Sequence, residues 1–148
     1  MKQSTIALLS LALMVSCARS ARDRKLIDYL NRTLEIPVDQ LPKAIVVISE
    51  EGCPTCNRSL ADLMRNQTAK ASCLFLISAE GRSVNLNGFL EETANVRQDD
   101  GTFRELGLFT GSGVIVLREN EIDTLYALQI AAIREQLMRI EQLVDTLE

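Results

Sequence analysis

The chain has 148 residues, 47% apolar and 24% charged, which is the size and composition of one globular domain with one core. Its net charge is -4 and no basic patch stands out, so nucleic acid is not an expected partner, and the mild acidity serves solubility. There is no histidine, so no imidazole can deprotonate a thiol or share a metal.

The opening stretch, MKQSTIALLSLALMVSCARS, has one lysine near its start, an apolar run over 6–15, and then Ser16, Cys17 and Ala18. That run is too short to span a bilayer comfortably and has the shape of a secretory core segment. Met14-Val15-Ser16-Cys17 resembles a bacterial lipobox, which implies a lipidated Cys17 as the mature N-terminus and contact with a membrane through it. A plain signal peptide cut near Ala18 or Ser20, or an uncleaved anchor, are the alternatives, and all three export the domain to an extracytoplasmic compartment. Removing Lys2 with a leader takes the net charge from -4 to -5. The expected division is a signal peptide over 1–16, a polar tether over 17–25, a domain over 26–128 and a terminal helix over 129–148. Export matters for the four cysteines. With Cys17 on lipid and Cys53 paired to Cys56, Cys73 remains, and its apolar surroundings predict burial as a small hydrophobe.

Leu26, Ile27, Leu30 and Leu34 recur at helical spacing and predict a helix that stops near Pro37. The run AIVVIS over 44–49 is continuous and β-branched, as a strand buried on both faces requires. Pro54 opens a helix with Leu60, Leu63 and Met64 on its apolar face, running to about Gln67. CLFLIS over 73–78 repeats the strand signature. Leu86, Phe89 and Leu90 mark another helix that ends before the polar tract RQDDG, and 103–106 reads as a short helical turn. VIVL over 114–117 predicts a third strand, and the turn signal REN leads into IDTLYAL as its hairpin partner. The tail over 129–147 has no Gly or Pro and reads as helix. The order helix, β, α, β, α, β, β, α predicts an α/β fold with a central mixed sheet flanked by helices.

Chemistry concentrates in SEEGCPTCNRSL, residues 49–60. A zinc site needs four ligands, usually two such cysteine pairs or a pair plus histidines, so neither metal nor organic cofactor is expected. A purely structural disulfide is the plainer alternative, but so small a loop removes little entropy from the unfolded chain. Cys53 follows a strand and Gly52 and precedes Pro54, and proline is favoured at the first helical position. Cys53 is therefore expected at the N-cap, where unpaired N–H groups and the helix dipole favour a thiolate by about 1 kcal/mol. A drop of about one unit from 8.5 raises the thiolate share at pH 7 from a few per cent to roughly a quarter. Cys53 then acts as nucleophile and Cys56 as the thiol that resolves the mixed disulfide. Glu50 and Glu51 oppose ionisation of Cys53. They either move protons for Cys56 or are simply solvated.

A strand running into EEGCPTC and a helix from Pro54 resembles the thioredoxin superfamily. CPTC resembles in particular the membrane-tethered, exported thioredoxin-like disulfide reductases, some of which serve cytochrome c maturation. The likeness reaches about Leu128, since LGLFTGSGVIVLRENEI over 106–122 is similar to the family's loop, third central strand, turn and edge strand. The resemblance implies a thioredoxin-like three-layer fold and exchange with protein disulfides or dithiols, most often as a reductase fed by a membrane electron donor. It also implies a substrate groove built from Gly52, Pro54, Thr55, Gly111, Ser112 and Gly113. Four positions depart from the family pattern. Ser112 replaces the cis-proline, and a trans peptide is expected because a cis bond without proline costs about 3–4 kcal/mol. Gly52 stands where the family has an aromatic residue, Val47 where thioredoxins bury an acid, and Ser59 where the tethered reductases often carry a glutamate. These departures motivate a second reading, a partner-binding module with a permanent Cys53–Cys56 bridge. Its partner would meet residues 111–113 or the terminal helix. A peroxidase is more distant, since Glu50 stands where that branch has threonine or serine.

Ile130, Ile133, Leu137, Ile140, Val144 and Leu147 alternate strictly at spacings of three and four. Packing on the sheet explains the first three turns. The continuation to Leu147 has the spacing of a coiled-coil seam, so a homodimer or partner helix competes with core packing there.

Overall fold

The structure, a computed structural model, describes residues 21–67, 72–79 and 95–147. Residues 21–32 form helix α1, and a 3-10 turn at Val38–Gln40 leads to β1, Ala44–Ser49. There follow α2 (Pro54–Gln67), β2 (Cys73–Ser78), β3 (Val96–Asp99), α3 (Thr102–Glu105), β4 (Gly113–Arg118) and β5 (Glu121–Ala127). A 3-10 turn at Ile130–Ala132 then opens into α4, Ile133–Thr146. The strands form one mixed sheet in the order β3-β2-β1-β4-β5. β1, β2 and β3 run parallel, and the β4–β5 hairpin adds to β1 antiparallel. The α/β architecture with a mixed sheet flanked by helices is as expected.

Side chains alternate across a strand, so an inner strand covered on both faces must be apolar throughout. All six residues of β1 and all six of β2 are buried. Ala44, Val46, Ile48, Phe75, Ile77 and Cys73 face α2 and α4, meeting Leu60, Ala61, Ile140 and Val144. Ile45, Val47, Leu74, Leu76 and Ile115 face the other way, onto Leu26, Tyr29 and Leu30 of α1 and Phe103 of α3. Each large side chain so buried contributes roughly 1.5–3 kcal/mol. Two apolar cores on opposite faces therefore clamp the sheet and leave its ends for other work.

Three elements differ from expectation. The polar tract RQDDG supplies most of β3, which had no strand signature because an edge strand of four residues buries only Val96 and Asp99. The helix expected around Leu86 lies outside the described residues. At the other end of the chain, α1 is already helical at residue 21, and the buried Asp23 accepts the Ile122 N–H at 3.1 Å. Residues 21–25, expected in a tether, thus belong to the packed domain. The terminal stripe is also used in reverse. Ile140 and Val144 are fully buried, with Leu137, Leu143 and Leu147 beside them, whereas Ile130 is 70% exposed. Core packing takes up the far turns, whose spacing also fits a coiled-coil seam. Gln136 ties the helix to β5 by accepting the Gln129 N–H at 2.8 Å and donating to the Ala127 carbonyl at 3.3 Å.

Candidate functional site

At the C-terminal ends of the three parallel strands, Ser49, Ser78 and Asp99 stand in register as a polar row. Crevices at this edge of an open α/β sheet are where ligands commonly bind. The chain leaves β1 at Ser49 and turns sharply, the Gly52 N–H returning to the Ser49 carbonyl at 2.9 Å and the Glu50 N–H donating to Ser78 O at 3.1 Å. It then enters α2. The Cys53 carbonyl accepts the first helical bond from the Asn57 N–H at 2.9 Å, and the Cys53 sulfur accepts the Cys56 N–H at 3.0 Å. Both contacts are those of an N-cap residue, the position expected for Cys53. Cys53 and Cys56 are joined as a disulfide with Cα atoms 5.1 Å apart. Cys56 is 1% exposed while Cys53 is only partly covered, so an incoming sulfur meets Cys53 first.

Beneath the disulfide lies a polar cluster that binds three segments together. Ser112 Oγ donates to Asn57 Oδ1 at 2.5 Å and accepts the Ser49 N–H at 2.9 Å. Asn57 Nδ2 donates to the Ser49 carbonyl at 2.7 Å. β1 pairs with β4 only as far as Val47 and Gly113, so on that side the backbone of Ser49 has no ladder partner. The two side chains replace that partner. Gly52 sits directly on this cluster: an added Cβ would meet Ser112 Oγ, Asn57 Oδ1 at 2.6 Å and Ser49 O at 2.9 Å. Glycine is therefore required here by space.

A shallow, mainly polar cavity of about 220 Å³ opens beside the dithiol, lined by Gly52, Cys53, Cys56, Gly111, Ser112 and neighbouring residues. Of the expected groove residues, Gly52, Gly111 and Ser112 come together with both cysteines. Pro54 and Thr55 are exposed on the first turn of α2, outside the lining, and Gly113 is buried against Phe109 and the Tyr126 carbonyl. Ser112 was expected to shape the groove, but its side chain is 3% exposed and turned inward. Its peptide bond is trans, as are all those described. Cys17 lies outside the described residues, among which no helix is long and apolar enough to cross a membrane.

Charge around the dithiol is modest. Glu51 is exposed and pairs with Arg104 of α3 at 2.8 Å, an arrangement closer to solvation than to proton transfer. Farther along the polar row, Asp99 accepts from Tyr29 OH at 2.8 Å, Ser78 Oγ at 3.0 Å, the Gly101 N–H at 2.9 Å and the Phe103 N–H at 3.0 Å. Burial, with the Asp99 carboxylate behind it, pushes the Tyr29 phenol far above its ordinary range. Asn57 and Ser49 escaped the sequence reading. A signal for Asn57 was present, since it shares the helical face of Leu60 and Ala61 and is the one amide on an otherwise apolar stripe. Neither a family model, nor a curated protein, nor a solved structure matches this chain.

Proposed function

We propose that this chain is an exported, lipid-anchored thiol–disulfide oxidoreductase of thioredoxin-like fold that reduces protein disulfides through Cys53 and Cys56. One observation carries the reading: a partly exposed Cys53 at a helix N-cap, its sulfur accepting the Cys56 N–H at 3.0 Å, beside a Cys56 that is 1% exposed. Helix-end N–H groups lower a thiol's pKa without an imidazole. The parallel β1–β2–β3 order with an antiparallel β4–β5 hairpin and the dithiol between β1 and α2 supports the fold assignment. Export and anchoring at Cys17 rest on the leader sequence.

The reaction needs no cofactor. The Cys53 thiolate attacks one sulfur of a partner disulfide, forming a mixed disulfide and releasing a partner thiolate. Cys56, losing its proton, attacks the Cys53 sulfur and releases the second partner thiolate. The partner gains two electrons and the chain ends as the Cys53–Cys56 disulfide seen here. A dithiol donor at the membrane must then return two electrons and two protons. Cys56→Ala in intact cells tests the reading. It should accumulate mixed disulfides between Cys53 and exported proteins, resolved by reductant on gels. The absence of such adducts would overturn it.

The second reading, a partner-binding module with a permanent bridge, draws support from the inward Ser112 hydroxyl and the exposed Ile130 and Met138 of the terminal segment. The reduction potential separates the two. A value near about -200 mV fits turnover, and one below about -300 mV fits an inert bond.

A further inference from the structure

We propose that Asn57 and Ser112 are positioning residues for the dithiol, their amide–hydroxyl clasp holding the first turn of α2 so that the Cys56 N–H stays on the Cys53 sulfur. The proposal deepens the reading of Cys53 and Cys56 as a redox pair and rests on it. Ser112 is 55 residues from Asn57 and 63 from Ser49 in sequence, yet one hydroxyl meets both. Its single proton goes to Asn57 Oδ1, while a lone pair takes the Ser49 N–H. Asn57 Nδ2 then closes on the Ser49 carbonyl at 2.7 Å. The amide has one workable orientation, because the reverse would set Oδ1 against the Ser49 carbonyl.

The ring therefore joins the end of β1, the first turn of α2 and the loop before β4 at one point. Asn57, Ser112 and Ser49 are 7%, 3% and 9% exposed, and a member that loses its partner is left dry. Asn57 follows Cys56 directly and lies one helical turn beyond Cys53. Any turn of α2 about its axis that lifts the Cys56 N–H from the Cys53 sulfur must also pull Asn57 off Ser112. The Ser112 hydroxyl is thus linked to thiolate stability through Asn57 and Ser49, not through a hydrogen bond to either sulfur.

The test is the pH dependence of Cys53 alkylation by iodoacetamide in the reduced, folded chain, read by peptide mass so that the buried Cys73 is separated. Asn57→Ala and Ser112→Ala should raise the midpoint and slow alkylation at pH 7 about threefold, the range of a weakened helix-end contact. Ser112→Thr, which keeps the hydroxyl, should restore it. Ser78→Ala removes a buried hydroxyl from the same row of strand ends but not from the clasp, so its midpoint should stay at the wild-type value. Should Asn57→Ala fail to fold, Asn57→Leu carries the same test, because it keeps the shape of the side chain while deleting both amide bonds. Folded clasp variants with wild-type midpoints, or an equal shift in Ser78→Ala, overturn the proposal. Loss of the Cys56→Ala adducts with a shifted midpoint would sink the redox reading and leave the clasp standing.

Discussion

The two ends of the sheet are built on different principles. Of the six buried polar residues described, five (Ser49, Asn57, Ser78, Asp99 and Ser112) belong to the dithiol end, and only Asp23 to the hairpin end. The hairpin end settles its polar groups against water. Arg118 and Asp123 pair loosely at 3.8 Å with Arg118 77% exposed, and Lys43 reaches the Leu147 carbonyl at 3.2 Å on the surface. At the dithiol end, strands stop beneath a helix and loops, so backbone groups that leave the ladder must be met by side chains. The proposed thiol–disulfide exchange needs fixed sulfur geometry, and dry, fully paired polar groups supply that rigidity. Exposed pairs are worth about 0–1 kcal/mol and cannot.

The largest effect that this contrast predicts is at Asp99. Asp99→Ala strips four donors of their acceptor in a buried place and should cost about 3 kcal/mol of unfolding free energy in a urea titration. Asp23→Ala, losing one bond at the hairpin end, should cost about 1 kcal/mol. Equal losses would erase the distinction between the ends. Next comes Gly52→Ala. The clash is partly with the Ser49 backbone, which cannot rotate away, so a penalty of about 1–3 kcal/mol is expected.

Tyr29 adds a pH signature to the dithiol end. An unfolded tyrosine ionises near 10, and the folded phenol stays protonated well beyond that. Above about pH 10 the unfolded state releases a proton that the folded state keeps, so stability falls by about 1.4 kcal/mol per pH unit for this group. Below that pH the contribution is complete. Tyr29→Phe should cost about 1 kcal/mol at neutral pH and reduce the alkaline slope by one proton. Tyr126, also raised by burial, leaves a residual slope in both proteins.

Much of this was legible in the sequence and some was not, for physical reasons. AIVVIS and CLFLIS announce strands because both faces are covered, and the Pro after Cys53 announces a helix start. β3 stays silent because an edge strand shows its outer positions to water, and its one buried acid depends on donors from residues 29, 78, 101 and 103. Cys53 and Cys56 are readable as a local pair. The clasp is not, since a serine 55 residues from its asparagine leaves no periodic trace. The tail misled differently. Its spacing marks a helix correctly but does not say which turns the core will take.

The smallest prediction concerns the turn between β4 and β5. Glu119 and Asn120 are both in the left-handed region, at φ 52° and 63°, which is the pattern of a two-residue hairpin turn favouring Asn-Gly. A glutamate pays a steric cost there that asparagine largely avoids. Glu119→Asn should therefore stabilise the fold by about 0.5 kcal/mol in thermal melts. Turn and dithiol lie at opposite ends of β4, separated by some six residues of strand at about 3.4 Å each. Effects at that separation are usually additive. The reduction potential and the Cys53 alkylation midpoint should stay at their wild-type values in Glu119→Asn. A shift in either would mean that β4 transmits strain from one end to the other, and that the rigidity assigned to the clasp is shared by the whole strand.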